Sequence, residues 1–462
     1  SSATSSALSA YVDSLCDNAI SNFTISITGE MGGNSSVIAR YPDVLAVLLV
    51  ILVSSAVALG PKQSLRFMTL FSVFKFLVIA LTICYSAFFV DFANWHGVNS
   101  TGNLRFFPFG IDGTLKGAAT CFFAFIGFEG LATAAEEAKE PAKSLPRAAV
   151  LAMLTATLVY VLMSGTLSLM VPIDIIDEKS AFPSAFAVHG VEWARFAVAI
   201  GGICAMTAAL CAGLFSLPRS VYSMASDGLL FAWWSRVNAR TRRPINACIT
   251  FSLLVCTMTF LFDLDALVDF LSIGTLMAYT AVSAAVIVLR YQPGRNTEGK
   301  VDRGGTLRLP IPFLSSHSGT PLILACLSVM VASFASMGVL FNHLDRSNVW
   351  CIIGISLLFL LGFSCVAVIA CHRQNNTQLT FKTPLVPFLP SCSLLINILM
   401  MCQLATLTWL RFWIWMAIGV VIYFAYGMQH SKENGRPNSD LVSDCNAQMG
   451  DLDNADEKKS TS

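Results

Sequence analysis

Windows of about 20 apolar residues, the length of helix that crosses roughly 30 Å of hydrocarbon, recur eleven times along this chain. They run from Val44 to Gly60, Leu65 to Val90, Leu115 to Ala134, Ala148 to Val171, Ala194 to Tyr222 and Ile245 to Phe262. Five more follow, from Ala266 to Leu289, Pro321 to Phe341, Val349 to Cys371, Leu389 to Leu407 and Phe412 to Tyr426. In lipid every backbone N–H and C=O must be satisfied within the protein, so windows of this length read as spanning helices. Composition agrees: 55% hydrophobic residues, 12% charged and a mean hydropathy of +0.67 exclude a soluble domain with a polar shell. The expected fold class is an all-α polytopic membrane protein. Ser1 to Leu15 reads as the end of one further span, and a start at Ser makes the sequence read as a piece of a longer chain.

Sidedness follows from the basic residues. With alternating crossings and the C-terminus in the cytoplasm, inside segments hold 21 of the 29 Lys and Arg, and outside segments hold Arg40, Arg105, Lys179, Arg195, Arg346 and Arg411. Sequons at Asn22, Asn34 and Asn99 fall in the segments this rule puts outside, making them glycosylation candidates. The plasma membrane is the expected location. The 14 cysteines show no paired spacing of a metal site, and the six histidines are scattered. No nucleophile with its base, phosphate loop or ligand cluster appears, so neither an enzyme nor a cofactor or metal is expected. A net charge of +1 gives no reason to expect a nucleic-acid partner. Membrane lipids are the expected surroundings, and oligomeric state has no signal. The tail beyond Ser431 is polar and reads as disordered.

One apolar window is interrupted. Cys121 to Arg147 reads CFFAFIGFEGLATAAEEAKEPAKSLPR, with Gly127, Glu129 and Gly130 inside the run. Two readings stand: a plain span with packing glycines, or a broken helix whose bare backbone groups face a solute. Half-helix N-termini suit carboxylates, and unwound carbonyls accept from ammonium groups or coordinate cations.

The motif Phe125-Ile126-Gly127-Phe128-Glu129, followed by Ala132-Thr133, Glu136-Glu137, Lys139, Pro141 and Pro146, resembles the cationic amino acid transporters of the amino acid, polyamine and organocation superfamily. Further matches come in order: Pro218-Arg219 with Tyr222 and Asp227-Gly228-Leu229-Leu230-Phe231, Ser272 to Leu276, Leu289 to Pro293, Pro384 to Pro387, and Leu407 to Phe412. The resemblance covers nearly everything from Ser1 to Ser431 and is to the fourteen-span type. It implies a LeuT-type inverted repeat of five plus five helices with four extra C-terminal helices, here lacking the first two and a half. On that map residues 1–15 end the third helix and 16–42 are an extracellular loop. The fourth and fifth helices occupy 43–113, the second repeat 114–290 and a cytoplasmic linker 291–320. Four further helices fill 321–426, ahead of a disordered tail over 427–462. Because the substrate carboxylate is expected on the absent first helix, this polypeptide alone is not expected to transport.

The implied activity is transport of arginine, lysine and ornithine by alternating access, as facilitated uniport. The alternatives are a neutral amino acid or polyamine carrier, or a non-transporting nutrient sensor or truncated isoform. The resemblance implies that Phe125, Ile126, Gly127, Phe128 and Glu129 form the substrate-binding break. Glu129, where the family commonly has Asp, either meets substrate or holds the broken helix together. Gly213 either leaves depth for a long substrate side chain or packs helices. Lys75, deep in its span, is either a coupling cation or a structural one. Pro218, Arg219, Tyr222 and Asp227 have a gating or structural role, and Asp263, Asp265 and Asp269 near the outer mouth read either as solvated caps or as negative charge that enriches cationic substrates. Pro141 and Pro146 are expected to stop one helix and start another.

Overall fold

The computed structural model describes residues 1–16, 19–29, 39, 41–59, 61–96, 105–127, 140–177, 180–238, 244–292, 319–343, 349–375 and 382–432. Phe128, Glu129, Asn34 and Asn99, residues 293–318 of the expected linker and the tail beyond residue 432 lie outside them.

Helices make up the described chain. They are α1 (Ser2–Leu15), α2 (Ala19–Thr28), α3 (Val44–Leu59), α4 (Pro61–Ser86), α5 (Gly110–Cys121), α6 (Pro141–Met170), α7 (Ala181–Val188) and α8 (Glu192–Ser226). After them come α9 (Ile245–Leu261), α10 (Leu264–Tyr291), α11 (Thr320–His343), α12 (Val349–Ala370), α13 (Phe388–Cys402) and α14 (Thr406–Ile422). Among the described residues seven helices are long and apolar enough to cross a membrane, with α3, α9 and α13 as shorter apolar ones. Large side chains such as Leu52, Leu77, Leu151, Leu253 and Leu360 are exposed on them, as lipid-facing surfaces require. The protein is an all-α polytopic membrane protein.

Two packed cores organise the helices. Leu8, Val50, Leu210 and Val255 bring together α1, α3, α8 and α9, and Ile287, Met330, Ile369 and Leu394 bring together α10, α11, α12 and α13. A smaller cluster of Met170, Phe186, Ala194 and Val198 pins the end of α6 to α7 and the start of α8.

Lipid tails are as apolar as leucine, so membrane helices associate through close packing and polar contacts, not through water exclusion. The small-residue face of α8 shows this. A Cβ on Gly201 would drive into Val78 of α4, one on Gly202 would stand 2.7 Å from the Tyr11 ring, and one on Gly213 would stand 2.6 Å from Ser1 Oγ. Hydroxyls bridge the same group: Ser5 and Thr259 are 3.1 Å apart, and Ser54 and Ser252 2.6 Å.

Pro146 corrects the sequence expectation. Pro141 stands at the start of α6, but Pro146 lies inside that helix, as Pro218 lies inside α8. Each removes one hydrogen bond without ending its helix, because the neighbouring turns carry the geometry through. The apolar window from Leu115 is also shorter as an α-helix than expected, ending at Cys121. The expected tail from residue 427 begins with packed chain, since a π turn over Tyr423–Gly427 leads into a last helical turn at Met428–His430. Asp269 is not a free cap, since Thr408 Oγ1 donates to its Oδ2 at 3.4 Å.

Asp43 sits just ahead of α3. Its Oδ1 accepts from the Ala46 N–H at 2.9 Å and from Ser9 Oγ at 2.6 Å. Burial raises its pKa despite those two bonds, and the nearby Asp13 carboxylate adds to the rise. A carboxyl that holds its proton more tightly folded than unfolded weakens the fold as pH climbs from the ordinary aspartate range through the raised value. Asp43→Asn, which keeps the accepting oxygen, is therefore expected to be near neutral, whereas Asp43→Ala costs about 0.5–2 kcal/mol, read as lost thermal stability of the purified full-length protein. By the same measurement Gly201→Leu costs about 1–3 kcal/mol, while Gly165→Ala, whose new Cβ meets nothing within 4 Å, does not.

Candidate functional site: a broken helix and the surfaces around it

Within the interrupted window the described helix ends. The α-helical ladder of α5 stops at Cys121, tightens into a 3₁₀ turn over Phe122–Phe125, and then opens. Ile126 donates its N–H to the Phe123 carbonyl at 3.2 Å. It then adopts φ −72° and ψ 137°, and Gly127 follows at φ +121°. That last conformation strains any residue with a Cβ, which accounts for glycine there. At Ile126 the backbone leaves the helical direction, the geometry that presents backbone oxygen to a cation or ammonium group.

Tyr160 of α6, which the sequence reading passed over, holds the break. Its hydroxyl donates to the Ala124 carbonyl at 2.8 Å, and its ring meets Phe125 edge-on at 5.3 Å between centroids. Phe122 is held from the other side by Tyr279 of α10, 5.8 Å away. A phenol in the middle of an apolar span needs a partner for its hydroxyl, and that was the available signal in LVYVLM.

The other candidates occupy separate environments. Gly213 faces Ser1, the residue ahead of α1, a close helix approach. Lys75, partly exposed on α4, has its ammonium 5.1 Å from the centre of the Phe76 ring. Among the described residues no carboxylate lies at ion-pairing distance from it.

Pro218, Arg219, Tyr222 and Asp227 lie along the end of α8. The Arg219 guanidinium stacks 4.0 Å over Phe215, Pro218 is buried and Tyr222 is exposed. Asp227 ends the helix, and its carbonyl accepts from the Lys432 N–H at 3.1 Å. This contact belongs to a dock between two segments about 200 residues apart. The Ala232 N–H donates to the Tyr426 hydroxyl at 3.2 Å, and the Phe231 ring lies 4.9 Å from that of Tyr426. Tyr426 in turn stacks on His430 at 4.1 Å. Gly228, at φ +84°, lies against the His430 carbonyl, and a Cβ on Gly427 would stand 3.1 Å from the Leu229 carbonyl. The π turn widens the helix by one residue and aims Tyr426 at the α8 segment. Of the sequon asparagines, Asn22 is described: it lies exposed on α2.

A bundle in which seven described helices are long and apolar enough to cross a membrane is that of an integral multi-pass membrane protein. An amino acid permease family model matches residues 5–359, and a model of the C-terminus of such permeases matches 381–431. Cationic amino acid transporter 4 of Mus musculus is 37% identical over 94% of this chain and 73% of its own length. Its Homo sapiens counterpart is 36% identical over 93% and 72%. Cationic amino acid transporter 3, mitochondrial, of Arabidopsis thaliana is 30% identical over 84% and 69%. The chain belongs to the amino acid permease family, among the cationic amino acid transporters. These relatives are carriers, not enzymes.

Gly228→Val places a Cβ against the His430 carbonyl and strains the backbone, an expected loss of about 1–3 kcal/mol. Tyr426→Phe, which removes one hydrogen bond, is expected to cost about 0.5–1.5 kcal/mol. Thermal unfolding of the purified full-length protein in detergent measures both.

Proposed function

We propose that the full-length protein carries arginine, lysine and ornithine across the membrane by alternating access, as a uniporter. The observation that carries this reading is the break at Phe125 to Gly127, where extended backbone and a left-handed glycine turn carbonyls off the helix axis. An α-ammonium group is the ligand such oxygens suit. The relatives named as cationic amino acid transporters supply the substrate class. Phe125, Ile126 and Gly127, with Phe128 and Glu129 beyond them, receive the α-amino group. Gly213 serves the close helix approach beside Ser1, Lys75 is a structural cation in a uniporter, and Pro218 to Asp227 belong to the gate. The second repeat spans 114–290, and four extra helices occupy 321–426.

Uniport suffices for accumulation. Each positive charge gains about 2.3 kcal/mol per 100 mV on moving to a negative interior, roughly a fifty-fold gradient. The basic-residue asymmetry and the three sequons favour a plasma-membrane location with the C-terminus in the cytoplasm.

Uptake of labelled arginine by cells expressing the full-length protein tests the reading. Arginine is expected to enter above background and to slow on depolarisation. Alanine or spermidine entering in its place overturns the cationic assignment, and no solute entering supports a sensor. Tyr160→Phe frees the Ala124 carbonyl and loosens the break, so the ratio of maximal rate to half-saturation for arginine should fall by about three- to ten-fold at unchanged surface expression.

A further inference from the structure

Two segments finish the end of α8 that the topology proposed above puts in the cytoplasm. The last carbonyls of a helix need partners from outside its own ladder, and local backbone supplies most of them here. The Asp227 N–H donates to the Ser223 carbonyl at 3.1 Å, the Gly228 N–H to Ala225 at 3.2 Å and the Leu229 N–H to Met224 at 3.0 Å. With Gly228 at φ +84° this is a Schellman ending. The Asp227 carbonyl is capped differently, by the Lys432 N–H from the far end of the described chain.

The contacts around this cap are of a kind that opens and closes. Phe231, His430 and Lys432 are exposed and Tyr426 is half-buried. Water therefore replaces the hydrogen bonds of the dock when they break, which puts it at the low-stability end of the fold. The closest approaches are made by glycines, Gly228 against the His430 carbonyl and Gly427 against that of Leu229, so side chains do not interlock there. A π turn, an irregularity that recurs at functional positions, brings Tyr426 to the Ala232 N–H. Upstream, Pro218 removes one hydrogen bond from the α8 ladder. That gives the capped end a place to bend against the rest of the helix.

We propose that residues 426–432 are a latch on the end of α8, engaged as described in one state of the carrier and released in the other, when that end swings about Pro218. The proposal rests on the transport reading above, in which Pro218 to Asp227 belong to the gate. Engaged, the segment supplies the last cap of α8 and ties it to the chain that follows α14. Released, the Asp227 carbonyl and the Ala232 N–H turn to water. The two states differ by a few contacts that water can replace, so the latch biases the gate without freezing it.

Cross-linking of the full-length protein in proteoliposomes tests the latch. Asp227→Cys with Lys432→Cys places a thiol on each side of the capping bond, whose 3.1 Å length holds the two backbones near enough for a disulfide. Leu229→Cys with Gly427→Cys is the second pair, since a Cβ on Gly427 would stand 3.6 Å from the Leu229 Cα. Copper phenanthroline is expected to close a disulfide and to cut labelled arginine uptake about fivefold or more, because a gate that cannot release cannot cycle. Dithiothreitol should restore it, with the unsubstituted protein treated alike as the reference. A contact that only packs the terminus stays closed throughout the cycle, and cross-linking it leaves uptake as it was. A cross-linked pair that transports at its reduced rate, or failure of both pairs to cross-link, overturns the latch. Arginine uptake by the unsubstituted protein with undiminished uptake in a cross-linked pair removes the latch alone. No uptake by the unsubstituted protein removes the transport reading and the latch with it.

Discussion

A backbone carbonyl inside a hydrocarbon layer must find a partner, and at the α5 break this chain makes that obligation local and specific. The ladder stops at Cys121, the 3₁₀ turn satisfies Ile126, and Tyr160 takes the Ala124 carbonyl. Each unsatisfied group in lipid costs several kcal/mol, so such a break persists only where the surrounding helices supply donors or a cavity. Tyr160 and Tyr279, from two different helices, clamp the turn on either side, and the left-handed Gly127 lets the chain leave it.

The rest of the bundle keeps that clamp in place. Gly201 and Gly202 let α8 approach α4 and α1 closely, and the hydroxyl bridges from Ser5 and Ser54 tie α1 and α3 to α9. The long α10 packs against α1 on one side and enters the core with α11 to α13 on the other, joining the two packed groups. At its far end α8 is held by the last described residues of the chain through Tyr426 and Lys432. Small residues along α8 and a distant segment at its end thus tie it to its neighbours at both places.

Span positions were legible because apolar length is a direct readout of membrane crossing. Val44, Ile245 and Val349 begin their helices where the apolar runs begin. The span expected from Ala194 to Tyr222 passes through Pro218 as α8 does, and α8 runs on to Ser226 because a helix packed along its length carries one proline through. The glycines marked the break, but its onset at Cys121 was hidden, since nothing in CFFAF announces a change from α to 3₁₀ geometry. Tyr160 and the Tyr426 dock were equally hidden. Both depend on contacts between segments far apart in sequence, and a lone tyrosine in an apolar run does not name its partner. For Gly213 the sequence leaves pocket depth and helix packing both open, and the close approach of Ser1 that favours packing is a tertiary fact.

The most direct test of the central claim is a density map of the full-length protein with arginine bound. The account predicts the ligand's α-ammonium within about 2.7–3.2 Å of carbonyl oxygens in the Phe125 to Gly127 segment, with Tyr160 still bonded to Ala124. Arginine density away from that segment, or a continuous α-helix through Gly127, contradicts it.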